Sequence, residues 1–123
     1  GMAAVASVVM NRVQAPGGEY ARVGQGSIRK IILQPGQFTC AQETVRGRPN
    51  PQNIYNMRPE DVQYQIAQWA MAGGRVLGLG EALWFFNPYS PTCQPNFPSS
   101  VGVFTTRIRN HCFYDPTAAY FDT

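Results

Sequence analysis

Apolar and polar positions divide this chain into a few distinct segments. Residues 2–13 (Met-Ala-Ala-Val-Ala-Ser-Val-Val-Met-Asn-Arg-Val) are apolar at nearly every position. Ala and Met favour helix, and apolar residues on every side predict a helix buried on most of its faces. No Ser, Thr, Asp or Asn precedes it as a cap, and a core helix at a free end would fray. Both features lead us to expect further sequence upstream. A secretory signal has the right apolar length, but no basic stretch leads into it and Asn11-Arg12 follow it, so a core helix is the preferred reading. Residues 15–26, with Pro16, Gly17, Gly18, Gly24 and Gly26, are expected to form an exposed loop. Ser27 is placed to cap a short helix, Ile28–Leu33, that must stop before Pro35.

Residues 35–57 carry Pro35, Gly36, Gly47, Pro49 and Pro51 and read as loop. The clearest helix follows. Pro59 suits a first turn, and Glu60 and Asp61 complement the positive end of the helix dipole. Val62, Ile66, Trp69 and Ala70 repeat at helical spacing until Gly73-Gly74 stop the run. Residues 83–86 are a short aromatic run halted by Asn87-Pro88, which predicts a buried strand. Residues 88–100 are a Pro- and Ser-rich loop. Residues 105–114 alternate weakly and predict a second strand that pairs with the first. No internal repeat is visible. The expected architecture is α+β and mostly helical, with one small antiparallel sheet.

Composition narrows this further. At 123 residues and 13.6 kDa the chain fits a single domain. With 44% hydrophobic and 12% aromatic residues it can bury enough apolar surface to offset the entropy of ordering. Charged residues make up only 14%, against roughly 25% in an average soluble domain. Twelve Gly and ten Pro demand many turns. No apolar run reaches the roughly 18 residues of a membrane helix, so no membrane span is expected. A net charge of +3 favours anionic partners. Yet Arg46 with Arg48 and Arg107 with Arg109 are small groups without interleaved aromatics, so nucleic acid is not an expected partner.

The residues that carry chemistry are few. Cys40, Cys93 and Cys112 allow at most one internal disulfide; Cys93 with Cys112 is the more plausible pair, and three reduced thiols are equally consistent. No zinc site is expected: there is no Cys-x-x-C, and His111 and Cys112 would point to opposite faces of a strand. His111, the single histidine, is more often structural than catalytic in such a setting. Sugar cleavage needs a carboxyl group kept protonated as general acid. Glu60 and Asp61 are taken by the helix start and Asp115 and Asp122 lie near the C-terminus, which leaves Glu19, Glu43 and Glu81, none marked by its context. The polar-aromatic groups Gln37-Phe38-Thr39, Tyr55, Trp84-Phe85-Phe86-Asn87 and His111-Cys112-Phe113-Tyr114 are better suited to stacking on sugar faces and bonding hydroxyls, although most of these rings must also serve the core.

Four blocks then occur in the order seen in one family: residues 4–13 (Ala-Val-Ala-Ser-Val-Val-Met-Asn-Arg-Val), 31–39 (Ile-Ile-Leu-Gln-Pro-Gly-Gln-Phe-Thr), 84–88 (Trp-Phe-Phe-Asn-Pro) and 111–116 (His-Cys-Phe-Tyr-Asp-Pro). The chain resembles the SleB/CwlJ cell wall hydrolases, the spore cortex-lytic enzymes and their relatives, with an ending closer to the CwlJ branch. The resemblance implies a lysozyme-like or lytic-transglycosylase-like domain over residues 1–123. It implies cleavage of peptidoglycan glycan strands next to muramic acid, without cofactor or metal, at the spore coat, cortex or cell wall, with an accessory spore protein as a further partner. It places the catalytic glutamate upstream of Gly1, outside these 123 residues, so no catalytic residue is assigned within them and a wall-binding protein without activity is the alternative. The substrate-binding residues it implies are Gln37, Phe38, Thr39, Tyr55, Asn87 and His111. Alanine at Gln37 or Thr39 is then expected to lower cortex release with little change in melting temperature.

Overall fold

The apolar N-terminal helix organises the rest of the chain. The structure is a computed structural model, and it describes residues 1–35, 37–38, 44–51 and 58–123. Helix α1 (Met2–Val13) buries Ala4, Ser7, Val8, Met10 and Arg12. The Ser7 hydroxyl is satisfied inside the core: it donates to the Ala3 carbonyl at 2.8 Å and accepts from the Val76 N–H at 3.1 Å, as a buried polar group requires. Around α1 pack α2 (Gly18–Gly24), α3 (Ile28–Leu33) and α4 (Asp61–Met71).

Helix α2 corrects the expectation of a loop over residues 15–26. Between the glycines stand Glu19, Tyr20, Ala21, Arg22 and Val23, and Tyr20 is drawn inside against Trp84 and Tyr120. Burying that ring outweighs the low helix propensity of the flanking glycines. At Gly24 a Cβ would stand 2.5 Å from Ile31 Cδ1, so glycine there lets α2 approach α3. Helix α3 begins as expected, with the Ser27 side chain accepting from the Lys30 N–H at 3.2 Å.

In the segment read as loop, β1 (Thr44–Val45) and β2 (Arg48–Pro49) form a two-residue antiparallel ribbon. It turns at Arg46 and Gly47, both at positive φ, the conformation that matches a tight hairpin to strand twist. Helix α4 starts with a reciprocal cap: the Glu60 side chain accepts from the Gln63 N–H, and Gln63 Oε1 accepts from the Glu60 N–H at 2.8 Å. Its apolar spacing does form a helix, but the face is only partly covered. Val62 and Trp69 stay 45% and 39% exposed, and Ala70 alone is fully buried. The helix lies along the surface of α1, and the Trp69 ring covers Gly74.

The sheet has three antiparallel strands in the order β3-β5-β4, namely β3 (Trp84–Phe86), β4 (Gly102–Ile108) and β5 (His111–Pro116). The single strand expected over residues 105–114 is in fact a hairpin. Ile108 pairs with His111 and Arg109 takes a positive φ of 54°, so the alternation reverses direction at Arg109-Asn110. The two faces of β5 feed two cores. Cys112 and Tyr114 join Tyr20, Ile31, Leu83, Trp84 and Tyr120 on one side. Phe113 joins Ala4, Val8, Leu79 and Ala82 on the other. A disulfide between Cys93 and Cys112 fastens the Pro- and Ser-rich loop to the central strand.

Candidate functional site

Arg12 brings the site together. It stands in the last turn of α1 and is only 5% exposed. Its Nε donates to the Leu83 carbonyl at 2.7 Å, which joins the helix to the residue leading into β3. Its Nη1 donates to Gln37 Oε1 at 3.1 Å. The guanidinium carbon sits 4.8 Å from the Tyr20 ring centre and 5.6 Å from that of Phe38, within the range of cation–π attraction. Burial lowers the Arg12 pKa from its usual value, because burial penalises the cation; Tyr20, Tyr120 and Glu19 oppose that shift. The Tyr20 hydroxyl donates to the same Gln37 oxygen at 3.4 Å, and burial raises its pKa.

This arrangement orients Gln37. Its amide oxygen faces two donors, so its NH2 is the end left to donate outward. A carbonyl or hydroxyl of a ligand beside the Phe38 ring is the partner such a group suits.

The structure therefore joins Gln37 and Phe38 through Arg12 and Tyr20. Thr39 and Tyr55 lie outside the described residues, as do Cys40 and Glu43. Asn87 follows β3; its Oδ1 accepts from the Tyr89 N–H at 2.8 Å, and it lines a surface hollow with Tyr89, Ser90, Arg107 and Asn110. His111 opens β5, exposed, with its ring edge-on to Phe85 at 5.8 Å. Asn87 and His111 sit beside each other, since Phe86 pairs with Cys112. Leu83 and Asn87 flank β3 at opposite ends, about 13 Å apart for four extended residues. Two polar-aromatic groups thus mark the two ends of one strand.

Sequence reasoning missed Arg12 and Tyr20. A charged residue inside an otherwise apolar helix is a usable signal, since buried charges need built partners. Tyr20 carried none, as it stands among glycines.

The acids are placed as follows. Glu60 caps α4 and Asp61 is in its first turn. Glu19 Oε1 accepts from Gln34 Nε2 at 3.3 Å. Asp115 packs against Gly80, where a Cβ would lie 3.1 Å from Oδ2, and Asp122 ends the 3-10 turn Ala118–Asp122. Glu81 lines a separate cavity beside Asn11 and Gln14. Among the described residues, no three His, Cys, Asp or Glu side chains gather as a metal site. No helix among them is long and apolar enough to cross a membrane.

The described residues form a mostly helical α+β domain in which the buried Arg12 holds the Gln37 amide beside the Phe38 ring. The family described as Cell Wall Hydrolase matches residues 1–114, and the chain belongs to that family. Among curated proteins it is similar to the cell wall hydrolase CwlJ of Bacillus subtilis (strain 168), with 29% identity over 120 residues, covering 96% of this chain and 73% of that protein. The proteins of the same name from Halalkalibacterium halodurans and Oceanobacillus iheyensis are 26% and 28% identical over 120 residues, each covering 97% of this chain and 74% and 75% of the relatives. No solved structure matches the chain.

Proposed function

We propose that this protein cleaves the glycan strand of peptidoglycan next to muramic acid, as a muramidase or lytic transglycosylase of lysozyme-like architecture, acting on spore cortex or cell wall. The observation that carries this reading is the Gln37 amide held by Arg12 and Tyr20 beside the Phe38 ring, inside residues matched by a cell wall hydrolase family. An oriented NH2 donor binds the acetamido carbonyl or a ring hydroxyl, and an aromatic face takes the apolar face of the sugar. Thr39, Tyr55, Asn87 and His111 are proposed as further contacts along the strand. Bond cleavage requires a carboxyl group that protonates the leaving oxygen. We assign that role to the glutamate that the family resemblance places ahead of Gly1. Attack by the sugar's own hydroxyl then leaves an anhydro end, and attack by water leaves a reducing end. A disulfide suits an extracytoplasmic setting.

A second reading, a peptidoglycan-binding protein without cleavage, is favoured by where the acids sit. Glu60 and Asp61 begin a helix, Asp115 packs on Gly80, and Glu81 faces a different cavity. Incubation with insoluble peptidoglycan separates the two: soluble muramic fragments support cleavage, and co-sedimentation without fragments supports binding alone.

A further inference from the structure

A cavity of about 180 Å3 opens beside Asn11 and Leu83, and Gln37 is not among its lining residues. It is lined by Asn11, Gln14, Pro16, Glu81, Tyr120 and Phe121, among others. Tyr120 and Phe121 lie beyond residue 114, where the family match stops, so this wall belongs to the chain's own C-terminal turn.

Asn11 and Gln14 at the cavity are held by hydrogen bonds. Asn11 Nδ2 donates to the Gly80 carbonyl at 3.3 Å and the Ala82 carbonyl at 3.0 Å, bracketing Glu81 between two anchored residues. Gly80 takes a positive φ of 62° with Asp115 packed against it, which fixes the turn that carries Glu81. Arg75 Nε donates to Asn11 Oδ1 at 2.8 Å and Arg75 Nη2 to Gln14 Oε1 at 2.7 Å. Gln14 therefore turns its NH2 away from Arg75 as a donor with no hydrogen-bond partner among the described residues. On the apolar side, Phe121 lies over Gly17, where a Cβ would meet its ring at 3.3 Å. The Phe121 ring stands edge-on to Tyr120 at 5.1 Å, yet remains 46% exposed. The Thr123 hydroxyl accepts from the Glu19 N–H at 2.9 Å, which clamps this turn to α2.

We propose that this cavity is a second carbohydrate subsite that takes one pyranose ring. The Glu81 carboxylate accepts from ring hydroxyls, the Gln14 NH2 donates to one, and Phe121 stacks on the sugar face. A carboxylate acceptor and an amide donor beside an exposed ring match the alternation of hydroxyls around an apolar ring face. The volume limits the occupant to about one ring. Leu83 lines the cavity while its carbonyl accepts from Arg12, which also donates to Gln37, so one chain of hydrogen bonds joins the cavity wall to the Gln37 group. The proposal rests on the glycan-binding reading above.

The test is a titration of the whole chain with N-acetylglucosamine tetramer, followed by amide chemical shifts and calorimetry. The expected result is shift changes at Gln14, Glu81 and Phe121, and a Kd raised about tenfold by Glu81→Gln, by Gln14→Ala and by Phe121→Ala. Thermal unfolding of each variant checks the fold, and the shift map in the natural chain locates the ligand whether or not a variant folds. If the tetramer binds with shifts confined to Gln37 and Phe38, and all three variants bind like the natural chain, the second subsite is overturned while the glycan reading stands. If neither the tetramer nor insoluble peptidoglycan binds the natural chain, both are overturned.

Discussion

Arg12 Nη1 lies 3.1 Å from Gln37 Oε1, and the Tyr20 hydroxyl reaches the same oxygen. The amide oxygen thus serves the fold and the NH2 serves a ligand, so substitutions at Gln37 separate the two roles. Gln37→Glu keeps an acceptor in front of Arg12 and removes the outward donor. We expect its melting temperature to stay within about 2 °C and its affinity for peptidoglycan to fall about tenfold. Gln37→Ala also strands an Arg12 N–H, costing about 1–3 kcal/mol. Alanine is therefore not the neutral change that the sequence alone leads one to expect. Unchanged affinity of Gln37→Glu in a sedimentation assay would remove Gln37 from the cleft.

The link between Cys93 and Cys112 closes a segment with a separation of 19 residues. Chain entropy alone assigns such a loop about 3 kcal/mol. Cys93→Ser, which leaves the buried Cys112 in place, is expected to lower stability by about 2–4 kcal/mol. Urea unfolding with and without reductant measures this; a natural chain insensitive to reductant would contradict it.

Phe113 is 2% exposed and stacks on Phe85 at 5.7 Å. Phe113→Ala should cost about 3–5 kcal/mol. Phe86 is only half-buried, though it stacks on Phe97 at 4.3 Å, so Phe86→Ala should cost less, about 2–3 kcal/mol. Denaturant midpoints in the reverse order would show that the core is centred elsewhere.

Burial holds the Tyr20 and Tyr120 phenols above the ordinary tyrosine value. The unfolded chain therefore releases these protons first. Their contribution to stability is complete below about pH 10 and is lost as pH rises through the raised folded values. The urea midpoint should fall as pH rises from about pH 10 to pH 11, and fall less in Tyr20→Phe. A midpoint constant across that interval would mean that the two rings are solvated.

Local signals accounted for α1, α3, α4 and β3. Each rests on spacing, on a cap such as Ser27 or on a stop such as Pro88. Helix α2 was hidden because it depends on Tyr20 meeting Trp84 and Tyr120, the latter a hundred residues away along the chain. The β4–β5 hairpin was hidden because Arg109 holds a positive φ without being Gly or Asn. The polar-aromatic motif containing Gln37 and Phe38 was visible as composition. Its orientation was not, since the groups that orient it, Arg12 and Tyr20, come from other segments.

The central claim is cleavage of the glycan strand, and mass spectrometry of soluble fragments released from purified cortex peptidoglycan tests it most directly. The assay is run on this chain and on the chain extended by the codons upstream of Gly1. Anhydro-muramic or reducing muramic ends from the extended chain, and binding without such ends from these 123 residues, are the predicted result. Fragments split between sugar and peptide, or no fragments from either folded chain, would contradict it.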